Sequence, residues 1–149
     1  GLDAHGYLRA IEEVLLQALA VYGVEGRRDP EYTGMWVGDE KVAAIGVRVS
    51  RGVSMHGFAL NVDPDLSLFA GIVPCGIRDR GVTSLAQLLG AASDPDDVRT
   101  VLTTAVARVF GGDLRRVTLE QATDGTEDVP QPTSDPPARY AAWANPAAG

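Results

Sequence analysis

Between Asp3 and Gly23 apolar residues recur at three- and four-residue spacing. Leu8, Ile11, Leu15, Leu19 and Tyr22 share one stripe, Asp3 can cap it and Gly23 ends it. The spacing predicts an amphipathic helix over residues 3–22, packed on a sheet, with His5 solvated in its first turn. Residues 24–34 lose the period, and their Gly, Arg, Asp and Pro make a loop. Met35-Trp36-Val37 reads as a short strand and Gly38-Asp39-Glu40 as a turn. Residues 41–49 are small or β-branched and form a strand. Ser50-Arg51-Gly52 supplies turn chemistry, and residues 55–62 return as a second strand. Leu66-Ser67-Leu68-Phe69, after Pro64 and Asp65, is a short turn or helix. Gly81-Val82-Thr83-Ser84 is a loop or short strand, with Thr83 or Ser84 capping a short helix through Leu85, Leu88 and Leu89 to Gly90. A stronger helix follows: Asp94 caps it, Pro95 opens it, and Asp96 and Asp97 complement its dipole. Val98, Val101, Leu102, Ala105, Val106 and Val109 line one face before Gly111-Gly112 stop it. Beyond that, Val117-Thr118-Leu119 alone has strand character. Residues 122–149, rich in Pro, Asp, Thr and Ala, are expected to be disordered.

The hairpin of residues 41–62 is the most informative stretch. A turn centred on Arg51 and Gly52 makes the numbers of facing residues sum to about 103. Ala44 then faces Ala59 and Gly46 faces Gly57 on one side, while Ile45 faces Phe58 and Ala43 faces Leu60 on the other. One face is bulky and core-like, the other nearly bare. Either another backbone packs closely on the bare face or a ligand lies there. An acyl chain suits such a trough, because it needs apolar walls and few polar partners. His56 falls beside Val47 on the bulky side and is expected to be a hydrogen-bonded residue at the core edge.

Composition narrows the chemistry. The 149 residues suit one domain, with no apolar run near the ~20 residues of a membrane span. No basic-then-apolar leader opens the chain, so a soluble, cytoplasmic protein is expected. The net charge of −7 argues against nucleic acid, whose phosphates need a basic face. One cysteine excludes an internal disulfide and a thiolate metal site within the chain. Of the thirteen basic residues, Lys41 is the sole lysine and the rest are Arg, which cannot release a proton. The first residue is Gly rather than Met and no strand precedes the first helix, so an N-terminal portion is expected to be missing.

Cys75 lies in Ile72-Val73-Pro74-Cys75-Gly76-Ile77. Pro74 holds Val73 extended and Gly76 lets the chain turn after the thiol, so the cysteine stands on a constrained bend. That context suits either a reactive thiol or a small structural residue. A thiol attacks carbonyl carbon as thiolate, and a nearby lysine ammonium favours that form. In ideal register Lys41 points to the Ile45 side, away from the bare face, unless a bulge at the start of its strand re-aims it. A Cys/Lys pair fits acyl transfer from a thioester to an amine. Thioester exchange is close to isoenergetic and amide formation is downhill, so no ATP is needed, and the chain has no P-loop.

Taken together, Gly34-Met35-Trp36-Val37, Lys41-Val42-Ala43-Ala44-Ile45-Gly46-Val47-Arg48, His56-Gly57-Phe58-Ala59-Leu60-Asn61-Val62, Ile72-Val73-Pro74-Cys75-Gly76-Ile77 and Gly81-Val82-Thr83-Ser84-Leu85 resemble the lipoyl(octanoyl) transferase family in order and spacing across residues 1 to about 110. The resemblance implies an α/β (α+β) fold of the biotin/lipoate protein ligase type, a mixed sheet with flanking helices, here incomplete at its N-terminus. It implies that Cys75 carries an acyl thioester and that Lys41 lowers the pKa of that thiol and assists proton transfer. It assigns Ala44, Ile45, Gly46, Gly57, Phe58 and Ala59 to the acyl site. The implied partners are octanoyl-acyl carrier protein, lipoyl domains of 2-oxoacid dehydrogenase complexes and the glycine cleavage H protein, with no cofactor, metal, nucleic acid or membrane. Residues 1–112 would be the C-terminal part of the catalytic domain and 113–149 an acidic, Pro-rich tail. The family's upstream Arg-Gly-Gly and His-Gly-Pro-Gly-Gln motifs are absent, Met35 stands where Val is usual, and the tail matches nothing in the family. The alternatives to an octanoyl transferase are a non-catalytic fragment or binding module of the same fold, or an ATP-using lipoate or biotin ligase.

Overall fold

The computed structural model describes residues 3–50, 52–71 and 80–112. The bend around Cys75, the 117–119 strand and the 113–149 tail lie outside the described residues.

Helix α1 spans Ala4–Val21, one residue inside the predicted limits at either end. Asp3 caps it by accepting from Gly6 N–H at 2.6 Å, and Gly23, at φ +70, turns the chain away. His5 is exposed, as expected. Strand β1 (Arg27–Arg28) pairs antiparallel with β2 (Met35–Val37), giving the predicted 24–34 loop a short strand that its polar composition hid. Strands β3 (Glu40–Ser50) and β4 (Val53–Leu60) form the hairpin, and Gly52 takes the left-handed position of its turn at φ +80. A 3-10 helix covers Leu66–Gly71. Strand β5 (Gly81–Val82) runs parallel to β3, pairing Gly81 with Glu40 and Val82 with Lys41. Ser84, not Thr83, caps α2 (Leu85–Leu89), and Asp94 caps α3 (Pro95–Phe110), which Gly111 closes at φ +74. The sheet order is β1-β2-β3-β4, with β5 also on β3.

This mixed sheet with flanking helices is the predicted fold class. Ile11, Leu15 and Leu19 of α1 meet Met35, Val42, Ala43, Leu85 and Val98, forming the main core. A second cluster, Ala10 and Val14 against Ala105 and Val109, joins α1 to α3. The stripe read from the sequence is the one that packs, because burying it removes apolar surface from water at about 25 cal/mol per Å². Glu12 is 2 % exposed, and its carboxylate lies 2.7 Å from Arg9 and 3.1 Å from Arg28. Those charges make its burial tolerable. No helix among the described residues is long and apolar enough to cross a membrane.

The hairpin register matches expectation pair by pair, from Ala43↔Leu60 to Ser50↔Val53. Ile45, Val47, Phe58 and Leu60 pack against the main core, while Ala44, Gly46 and Ala59 are exposed. His56 departs from its expected role. It pairs with Val47 in register but is exposed, sits at φ +68, and its side chain makes no hydrogen bond among the described residues. Left-handed backbone inside a strand turns the imidazole away from the core edge.

Asn61 ties the end of the hairpin to the returning chain. Its N–H donates to Val42 O, its O accepts from Leu85 N–H, and its Nδ2 donates to Thr83 O, at 2.9, 2.9 and 3.0 Å. Asn61→Ala leaves the Thr83 carbonyl without its amide partner. It should lower unfolding free energy by about 1–3 kcal/mol, read as a fall in urea midpoint without a change in slope.

Candidate active site

Lys41 lies where two ladders fail to agree. Met35 pairs with Ala43, yet its neighbour Trp36 pairs with Lys41, so β3 carries one extra residue, Val42, at this point. Val42 and Ala43 are both fully buried in the helix-side core. Consecutive strand residues ordinarily face opposite ways. With two in succession turned to the helices, parity slips by one, and Lys41 falls on the face of Ala44 and Gly46 rather than on that of Ile45. The sequence left this choice open, and the bulge decides it.

The ammonium is held on that face. Lys41 Nζ donates to Thr33 O at 3.1 Å and stands 4.8 Å from the Trp36 ring centroid, within cation–π range. Gly34, at φ +141, crosses its stem. A Cβ there would come within 3.1 Å of Lys41 Cε and 2.8 Å of Ala43 O, so only glycine fits. The Trp36 indole N–H donates to Tyr32 O at 3.1 Å, which fixes the ring.

Beneath this loop sits Asp29, its side chain 3 % exposed. Asp29 Oδ1 accepts from the N–H groups of Glu31 and Tyr32, at 3.0 and 3.1 Å. Its Oδ2 accepts from Arg27 at 3.0 Å and Arg80 at 2.9 Å. Burial pushes the Asp29 carboxyl up, but the Glu31 N–H, the Arg27 guanidinium, the Tyr32 N–H and the Arg80 charge together outweigh it. They hold the group below the usual carboxylate range. Arg80 also lies 5.2 Å from the Trp36 ring and 5.4 Å from Tyr32, so lysine and arginine share one indole.

The open face of the hairpin has a distinctive vacancy of side chains. A Cβ added at Gly46 or Gly57 meets no heavy atom within 4 Å among the described residues. Neither glycine has positive φ. Backbone conformation and close packing therefore do not require glycine at either place among those residues, and the small pairs Ala44↔Ala59 and Gly46↔Gly57 leave a shallow apolar floor. Ile45 and Phe58, from the same triplets, turn their side chains to the core and offer the open face only backbone.

Cys75 lies outside the described residues. The structure thus gathers Lys41 with Ala44, Gly46, Gly57 and Ala59 on one face. Sequence reasoning missed Asp29, Arg80, Thr33 and Trp36 as Lys41's surroundings. Asp29-Pro30, a turn-initiating dipeptide, was the available signal within the loop. The approach of Arg80, fifty-one residues further on, had none.

Residues 1–107 match the family model for the lipoyl protein ligase A/B catalytic domain. The octanoyltransferase of Gloeobacter violaceus is 55 % identical over 109 residues, covering 73 % of this chain and 48 % of the relative. That of Rubrobacter xylanophilus is 52 % identical over 110 residues, covering 73 % and 50 %. The chain spans about half the length of the curated relatives it matches. Among solved structures, a lipoate-protein ligase A bound with ATP superposes with TM-score 0.67 at 17 % identity, over 82 % of this chain and 53 % of that one. A bi-partite lipoate protein ligase of Thermoplasma acidophilum gives 0.65 at 18 %, over 82 % and 52 %. At such identities these likenesses establish the fold.

The lowered Asp29 carboxyl makes part of the stability acid-sensitive. Its contribution is complete above the ordinary carboxylate value of 3.8 and is lost as pH falls below it toward the folded value, because the unfolded chain then binds the extra proton. Asp65, held low chiefly by the Ser67 hydroxyl and N–H, acts with the same sign. Unfolding free energy measured in urea from about pH 5 to 3 should fall in the wild type and fall less steeply in Asp29→Asn.

Proposed function

This chain belongs to the lipoyl protein ligase A/B catalytic-domain family, and on that premise we propose that it carries the acyl-transfer chemistry of an octanoyltransferase, the activity for which its relatives are named. The observation that carries the reading is the bulge at Val42–Ala43, which turns the sole lysine onto the small-residue face of the hairpin. In this reading residues 1–112 are the catalytic part and 113–149 a tail. The location is the cytoplasm, among soluble carrier domains.

The reaction runs in two steps. Cys75 thiolate attacks the carbonyl carbon of an octanoyl thioester on acyl carrier protein. A new C–S bond forms, the C–S bond to the carrier breaks, and the departing carrier thiolate takes a proton from the Lys41 ammonium. A lysine amine of a lipoyl domain, on a 2-oxoacid dehydrogenase complex or the glycine cleavage H protein, then attacks the Cys75 thioester. The C–N bond forms, the C–S bond to Cys75 breaks, and the amine's surplus proton returns to Lys41. Lys41, as ammonium, favours the thiolate that attacks first and leaves second. Strand β5, whose Val82 is in register with Lys41, begins six residues after Cys75 in sequence, which supports placing the two groups at one site. The octanoyl chain lies along Ala44-Ile45-Gly46 and Gly57-Phe58-Ala59, where the absent side chains make room.

The alternative reading is a binding module of the same fold without catalysis. One experiment separates the two. The protein is incubated with octanoyl-acyl carrier protein, alone and with the N-terminal half of the Gloeobacter violaceus relative, and its intact mass is recorded. An octanoyl adduct is expected on the wild type, absent in Cys75→Ser and formed slowly by Lys41→Met. Lipoyl-domain binding with no adduct under either condition overturns acyl transfer, as does transfer that needs free octanoate and ATP.

The floor of the trough gives a separate test. Gly46→Ala combined with Gly57→Ala should leave stability unchanged or raise it by up to about 1 kcal/mol per site. The same pair of methyl groups should slow octanoyl adduct formation about tenfold. Unchanged adduct kinetics would place the acyl chain elsewhere.

A further inference from the structure

We propose that Asp29 is a positioning residue for Lys41, acting through the 31–34 loop and fastened there by Arg27 and Arg80. Among the described residues, the ammonium has one hydrogen bond, to Thr33 O, and one ring contact, to Trp36. Both are set by the loop that Asp29 folds. The Glu31 and Tyr32 N–H groups converge on Oδ1 and wind the backbone so that Thr33 O faces Nζ. Tyr32 O, one residue earlier, takes the indole N–H and so aims the ring. Gly34 then closes over the lysine stem.

Oδ2 supplies the anchorage. Arg27, on β1, donates to it and, through Nε, to Gly38 O at 2.9 Å, so the loop is tied to the turn before β3. Arg80, next to β5, donates from the far side of the sequence. Asp39 lies 3.6 Å from both guanidinium groups but is 86 % exposed, a weak solvated partner beside a buried one. Asp29 is therefore the buried carboxylate that satisfies two arginines and folds the loop at once. Removing its charge leaves Arg27 and Arg80 facing a neutral group and frees the loop that presents Thr33 and Trp36.

The catalytic meaning of this inference rests on the acyl-transfer reading, whereas the position of Lys41 can be measured without it. Lys41 is the sole lysine, so 13C-lysine labelling gives one ε-methylene signal from the full chain. In the wild type the Trp36 ring should displace that signal upfield of free lysine. In Asp29→Asn, with folding verified by circular dichroism, the displacement should be lost. Alkylation of Cys75, the sole thiol, should then be slowed at pH 7 as much as in Lys41→Met, with the double variant no slower than Lys41→Met alone. If Asp29→Asn does not fold, Arg80→Gln keeps the turn at Oδ1 and is expected to lose part of the same displacement. A folded variant whose lysine signal stays at the wild-type position overturns the proposal. A lost displacement with wild-type alkylation supports the positioning of Lys41 and overturns its partnership with Cys75.

Discussion

Val42 and Ala43 cannot both face the helices in a regular strand, yet both do, and the arrangement of β3 follows from that conflict. Each buries apolar surface against α1 and the residues around it. The ladder with β2 accommodates them with one unpaired residue. Lys41, immediately before the bulge, is carried to the opposite face and placed beside the small residues. In a straight strand its ammonium would be directed into the helix-side core. A charge without a partner there is far costlier than a local break in pairing.

Around that lysine the fold arranges charge in depth. The exposed edge of the loop has ordinary solvated groups such as Asp39. The buried layer has one carboxylate with four donors, and between them an indole is shared by an ammonium and a guanidinium. Such a cluster is stable because every lone pair aimed inward is used, and a half-satisfied version would be worse than an apolar one. It joins β1, the 31–34 loop and the start of β5, elements that the sheet ladders alone hold through only a few pairs.

The hairpin supplies the complementary surface. Its bulky pairs pack on the core and its small pairs face outward, so one side of the two strands is a wall of the core and the other is bare among the described residues. Neither the backbone angles nor the neighbouring described residues require glycine at Gly46 and Gly57. In the proposed reaction that bare face takes the aliphatic acyl chain.

Sequence alone determined the elements whose cause is local. The helix of α1 follows from its apolar period and Asp3, that of α3 from Asp94-Pro95 and Gly111, and the hairpin register from a single turn. These signals act over a few residues, where capping, steric preference and strand alternation dominate. The motifs around Lys41 and the hairpin also carry the family resemblance in the sequence itself. Tertiary structure decided what depends on distant partners. Which way Lys41 points was set by burial of Val42 and Ala43 against α1, and the role of Asp29 was set by an arginine from beyond the Cys75 segment. His56, which strand parity assigned to the core edge, was turned outward by a left-handed backbone angle that no residue pattern encodes. Local rules fix periods and turns, but the face a charged residue finally occupies is chosen by the cheapest way of burying its neighbours.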